Sequence, residues 1–157
     1  MRGYFGVGIY HPKFECNQGT LWRSAAAFGA SFVFTVGQRF RKQASDTSKS
    51  HLHLPAFQFA TLGDLLAHLP YSCPLVGVEL DGRSTPLDSF AHPDRACYLL
   101  GAEDHGLPPG VLGECHHVVQ IPGARQCLNV ATAGAITLYA RSVQRARGKG
   151  SRQPVGV

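Results

Sequence analysis

Asn17, Gly19, Arg23 and Ala25 stand in the pattern N-x-G-x-x-x-R-x-A, which runs on into Phe28-Gly29. A helix beginning near Gly19 would carry Arg23 about one turn in, able to reach back toward the loop before it. A guanidinium offers a rigid fork of donors that matches a phosphate. A second group, residues 101–108, reads G-A-E-D-H-G-L-P. Gly101 and Gly106 permit a tight turn and a close approach of backbone to a ligand, and Glu103 can accept hydrogen bonds or balance a cation. A third group joins Ile121-Pro122-Gly123 to Cys127-Leu128-Asn129-Val130-Ala131-x-Ala133. Asn129 suits a helix N-cap, and the small residues after it allow close packing. Each group also has a plainer reading: a helix start with a surface arginine, a glycine-rich turn with a solvated acid, an ordinary capped helix.

The surrounding elements give these groups their places. Apolar, β-rich runs predict strands over residues 3–10, 31–36, 75–80, 97–100 and 117–121. Helical stretches are expected over 20–28, closed by Gly29, over 62–69, ended by Pro70, and from Asn129 to about Arg145. Strands alternating with helices predict one α/β domain with a mainly parallel sheet flanked by helices, over residues 1–145. Residues 146–157 read as a basic, disordered tail. In such sheets ligands bind beyond the carboxyl ends of strands, and all three groups follow predicted strands.

Composition narrows the function. The chain has 157 residues, 44% hydrophobic and 16% charged, enough for a core without disulfide staples. No apolar run approaches the roughly 20 residues that span a membrane, and no signal peptide is visible, so the expected compartment is the cytoplasm. Five cysteines, odd in number and without a C-x-x-C pair, argue against a disulfide framework or zinc site. The clusters Cys115-His116-His117 and His51-x-His53 lack partners at metal-site spacing, so no metal is expected. The net charge of +5 is uneven. Arg39, Arg41, Lys42 and Lys49 face Asp46 alone, and Arg141, Arg145, Arg147, Lys149 and Arg152 face no acid. Such clusters suit phosphate neutralisation, and a solvated loop and tail would look the same. No G-x-G-x-x-G follows the first strand, and no P-loop Lys-Ser/Thr is present, which disfavours a dinucleotide or triphosphate site.

Taken in order at these strand ends, the three groups resemble the signature motifs of the SpoU/TrmH family of the SPOUT superfamily. Those motifs are N-x-G-x-x-x-R-x-A, G-x-E-x-x-G-L, and I-P followed by S-L-N-V-x-x-A. The resemblance runs from about Gly8 to Tyr139. It implies an α/β fold whose C-terminal segment forms a deep trefoil knot, an exception to the usual rules of chain topology. It implies ribose 2'-O-methylation of RNA, tRNA favoured and rRNA possible, with S-adenosylmethionine as methyl donor. It implies a homodimer whose active sites combine groups from both subunits. By the same resemblance the cofactor is held by Glu79, Leu80, Gly101, Glu103, Gly106, Ile121, Leu128 and Asn129. Arg23, Asn17 and Glu103 are the implied catalytic group. Arg39, Arg41 and Lys42 are the candidates for RNA contact.

One departure stands out: Cys127 occupies the position of the family's serine, and a thiol is the weaker donor. A silent RNA-binding protein on the same fold is therefore the alternative to the enzyme. A nucleotide-binding oxidoreductase is a more distant one.

Overall fold

The computed structural model describes residues 3–37 and 54–150. Arg39, Arg41, Lys42, His51 and His53 lie outside the described residues. Among the described residues seven parallel strands form one sheet in the order β3-β2-β1-β6-β4-β7-β5. They are β1 Phe5–Tyr10, β2 Phe32–Val36, β3 Ala56–Phe59, β4 Leu75–Val78, β5 Thr85–Pro86, β6 Ala96–Leu100 and β7 His117–Gln120. Four helices accompany them: α1 Glu15–Ala27, α2 Leu62–Ala67, α3 Pro109–Glu114 and α4 Val130–Gly150.

The two-residue period of a strand divides the side chains between two cores. Phe5, Val7 and Ile9 of β1, with Tyr98 and Leu100 of β6, meet α1 and α4 through Leu21, Trp22, Ala25, Val130 and Leu138. Fully burying a side chain such as Leu21 or Leu138 contributes about 2 kcal/mol. On the other face Phe34, Leu75, Cys97 and Leu99 meet Leu65 of α2 and Val111 and Leu112 of α3. There β1 presents Gly6, Gly8 and the half-buried Tyr10, and the rings of Phe32 and Phe34 lie where side chains on the two glycines would be.

Helix α1 begins at Glu15, five residues before the start expected from the sequence. The weak helix formers Cys16, Asn17 and Gly19 lie in this first part, where Asn17 makes tertiary bonds to Glu103 and Asn129 that propensity does not register. Helix α4 runs to Gly150, past the expected end at Arg145, and the turns at residues 141–145 are tied to the 90–94 segment. Gln144 accepts from the backbone N–H of His92 at 2.7 Å and donates to the carbonyl of Phe90 at 2.7 Å. Gly134 of α4 packs inside the chain: a Cβ there would lie 2.3 Å from Leu21 Cδ1. The small residues of this helix thus serve its contact with α1.

Arg141 corrects the charge reading. It is 2% exposed, and its guanidinium donates to the carbonyls of Pro93 at 2.5 Å and Asp94 at 2.8 Å and to the Tyr98 hydroxyl at 3.4 Å. It also lies 4.7 Å from the centroid of the Phe5 ring. Arg145 pairs with the Asp94 carboxylate. Neither arginine is a free surface cation, because each satisfies oxygens at the ends of neighbouring elements.

The same cluster holds His92, whose Nδ1 lies 2.7 Å from the Tyr98 hydroxyl and whose Nε2 has no hydrogen-bond partner among the described residues. Burial, and then the charge of Arg141, push its pKa down from 6.5 to about 4. The unfolded chain therefore takes up a proton near 6.5 that the folded chain refuses until about 4. Stability from this group is complete above 6.5 and is lost as pH falls toward 4, by up to about 3 kcal/mol. Urea midpoints at pH 7 and pH 4.5 should show this loss. His92→Asn, which keeps an acceptor toward Tyr98, should flatten it, and an unchanged slope would assign the loss to other groups.

Candidate active site

A cleft of about 250 Å³ opens at the carboxyl ends of the adjacent strands β6, β4 and β7. Its walls are the residues after β4 (Glu79, Leu80), the 101–106 turn after β6, and the segment from Gln120 to Leu128 after β7. Val130 and Ala133 of α4 close its base. This is where an open parallel sheet leaves room for a ligand, since each strand hands its chain to a loop there.

The turn after β6 has no space for side chains at its two glycines. A Cβ on Gly101 would lie 2.2 Å from the carbonyl carbon of Gly106. Gly106 has φ +63°, and its Cβ would lie 2.3 Å from Glu79 Oε2. The turn is closed by the Gly106 N–H donating to the Ala102 carbonyl at 2.9 Å. Glu79 fastens it to β4: one carboxylate oxygen accepts from Leu107 N–H at 2.8 Å, the other from Leu80 N–H at 2.9 Å. Glu79 thus shapes the cleft wall through backbone bonds.

The three sequence motifs meet in a chain of hydrogen bonds. The Asn17 amide donates to Glu103 Oε1 at 2.9 Å, while the Lys13 backbone N–H donates to Glu103 Oε2 at 3.2 Å. Asn129 Nδ2 donates to Asn17 Oδ1 at 2.9 Å. Asn129 Oδ1 in turn accepts from Ala131 N–H at 2.9 Å and Thr132 N–H at 3.2 Å, capping α4. Glu103 accepts through both oxygens, and so fixes which way the Asn17 amide faces. Asn17 then presents its oxygen to Asn129, and Asn129 presents its own to the helix. The residues are 86 and 112 positions apart in pairs along the chain, yet each settles the orientation of the next.

Of the residues singled out in the sequence, Glu79, Leu80, Gly101, Glu103, Gly106, Ile121 and Leu128 line the cleft. Asn17 and Asn129 buttress it through Glu103. Arg23 does not line it. The early start of α1 puts Arg23 two turns into the helix, exposed on the stripe that includes Cys16 and Thr20. Cys127 lines the cleft and makes no hydrogen bond among the described residues. The Cys115-His116-His117 run diverges: Cys115 Sγ donates to the Val111 carbonyl and His116 Nδ1 accepts from Leu75 N–H. Sequence reasoning passed over Lys13, Gln126 and Ala124. Lys13 was recognisable only as a loop cation, and its role rests on a backbone bond that composition cannot reveal.

The sheet order, the cleft at three strand ends and the bare glycine turn define an α/β protein with a candidate ligand site at the ends of β6, β4 and β7. The chain belongs to the SpoU rRNA Methylase family, whose model matches residues 5–139. A 23S rRNA (guanosine-2'-O-)-methyltransferase of Acinetobacter baylyi is 31% identical over 140 residues, covering 82% of this chain and 55% of that protein. A tRNA (guanosine(18)-2'-O)-methyltransferase of Escherichia coli is 29% identical over 134 residues, covering 82% and 58%. Among solved structures, the SpoU methyltransferase AviRb of Streptomyces viridochromogenes, in complex with AdoMet, superposes with a TM-score of 0.78 at 27% identity. That match covers 93% of this chain and 59% of that one. The chain spans little more than half the length of these relatives.

Proposed function

We propose that this chain transfers a methyl group from S-adenosylmethionine to a ribose 2'-hydroxyl of RNA, with tRNA the first substrate to test and rRNA the second. The observation that carries the reading is the bonded convergence of Asn17, Glu103 and Asn129 on the cleft beyond β6, β4 and β7. Family membership and the activities named for the relatives support it.

The residues present fit the cofactor. Gly101 and Gly106 leave backbone bare for close approach, and Leu80, Ile121 and Leu128 offer apolar contact around it. When bound, S-adenosylmethionine supplies an electrophilic methyl group on a sulfonium, a good leaving group. The protein must then orient the ribose, exclude competing water and help the 2'-hydroxyl lose its proton. Arg23 is the residue we assign to the hydroxyl. Its guanidinium acts as a cation, gripping the adjacent phosphate and favouring the alkoxide. Phosphate or water takes the proton. Asn17 and Glu103 order the site.

Because Arg23 is exposed and away from the cleft of its own chain, we assign it to the cleft of a partner subunit in a homodimer. Arg39, Arg41 and Lys42 are assigned to the RNA backbone. The finer topology, a deep trefoil knot, is supported by the entry of β7 between β4 and β5 and by the return of α4 onto α1. A knot predicts that newly synthesised chain folds more slowly than chain refolded after brief denaturation. Equal rates would count against it.

Calorimetric titration with S-adenosylmethionine, followed by nucleoside analysis of RNA incubated with enzyme and cofactor, tests the function. Saturable binding near one per subunit and a new 2'-O-methylnucleoside are expected. A silent RNA binder is the second reading, favoured by Cys127 at the serine position. It predicts RNA binding with neither cofactor uptake nor methylation.

A further inference from the structure

Phe14 breaks a local rule. It is the N-cap of α1, with φ −119° and ψ 126°, and makes no capping hydrogen bond. Ser, Thr, Asp or Asn at that position would satisfy a free helix N–H, and an aromatic ring cannot. The ring does not compensate by burial, since Phe14 is 48% exposed. A residue that gives up a local bond without packing gain marks a site where something other than folding selects it.

Its neighbours indicate what. Lys13 Nζ lies 5.3 Å from the Phe14 ring centroid and 3.6 Å from Asp104 Oδ2. The Lys13 backbone is bonded to Glu103, and both Glu103 and Asp104 line the cleft. An exposed ring and an ammonium therefore stand together on the cleft rim, anchored to the same carboxylate that holds Asn17. Base stacking on an aromatic face beside a cation is how single-stranded nucleic acid is gripped without reading its sequence. The exposed pair between Lys13 and Asp104 is weak enough to yield to a phosphate.

We propose that Phe14 and Lys13 form a nucleotide platform: the Phe14 ring stacks on a nucleobase of the RNA substrate next to the methylated ribose, and Lys13 meets the adjoining phosphate. The inference rests on the proposed function and adds a contact to it. Phe14→Trp installs a reporter, because the native Trp22 is buried at 4% exposure. The variant is titrated with a pool of unmodified tRNA transcripts in the presence of S-adenosylhomocysteine, with filter binding in parallel. Saturable quenching of the new indole that follows filter binding is expected. Phe14→Ala should weaken RNA binding about tenfold while leaving cofactor affinity unchanged. RNA captured on the filter with the indole unquenched overturns the platform. Emission already blue-shifted without RNA, and dependent on protein concentration, overturns it in favour of a partner subunit covering Phe14. RNA captured by neither wild type nor variant overturns the proposed function, and the platform with it.

Discussion

Arg23→Ala is expected to lower turnover on RNA by about a hundredfold or more, while affinity for S-adenosylmethionine stays nearly unchanged. The asymmetry follows from position. Arg23 lies on the exposed stripe of α1 and is not among the residues lining the cleft, so its loss should leave the glycine turn and the Glu79 fastening intact. Loss of a group that acts where charge develops lowers kcat and kcat/KM together. Mixing subunits sharpens the test. Arg23→Ala protein has an intact cleft, and a second variant with a blocked cleft keeps its arginine. Co-expressed, the two should regain activity if the arginine serves the partner's cleft. They should stay silent if it serves its own. Near-normal turnover of Arg23→Ala alone would remove the residue from the chemistry altogether.

The second large effect is expected at Gly101, the residue with the least room in the site. A methyl group there meets backbone atoms of Gly106 and Leu107 at 2.2 and 2.4 Å, and neither can rotate away. Either the turn opens or β6 shifts, at a cost of about 1–3 kcal/mol. Opening the turn also breaks the Leu107 bond to Glu79, which fixes the opposite wall. Gly101→Ala should therefore weaken S-adenosylmethionine by at least about tenfold, each tenfold being about 1.4 kcal/mol. The sheet should remain folded by circular dichroism and melt only some degrees lower. A variant that binds cofactor normally would show that this turn does not shape the site. Gly106→Ala is the milder comparison, since the group it meets is the end of a flexible Glu79 side chain, although its positive φ adds strain.

Much of this was legible in the chain. β1, β2, β4, β6 and β7 announce themselves as apolar runs because they are buried on both faces of a parallel sheet. β3 hides because it is an edge strand with Ala56, Phe57 and Gln58 exposed, following a polar stretch. β5 is two residues, Thr85 and Pro86, too short to carry a pattern. α3 is a six-residue helix with two glycines, indistinguishable in sequence from a loop. The site was legible as three motifs at strand ends, but not as a connected whole. Nothing in the spacing of Asn17, Glu103 and Asn129 says that each bonds the next. The burial of Arg141 was equally hidden, since an arginine in a basic segment looks like surface until the carbonyls of Pro93 and Asp94 are found around it.

The amide chain from Asn129 through Asn17 to Glu103 has a further meaning. Three segments distant in the chain, the start of α1, the turn after β6 and the start of α4, are ordered together once, while the protein folds. Fixing a backbone residue costs about 1–2 kcal/mol of conformational entropy. A site assembled only on contact with RNA would draw that cost from binding. In the proposed reaction, segments ordered in advance leave the binding energy of a large, flexible nucleic acid free to change its own conformation and to turn one nucleotide out of its stack toward the methyl donor.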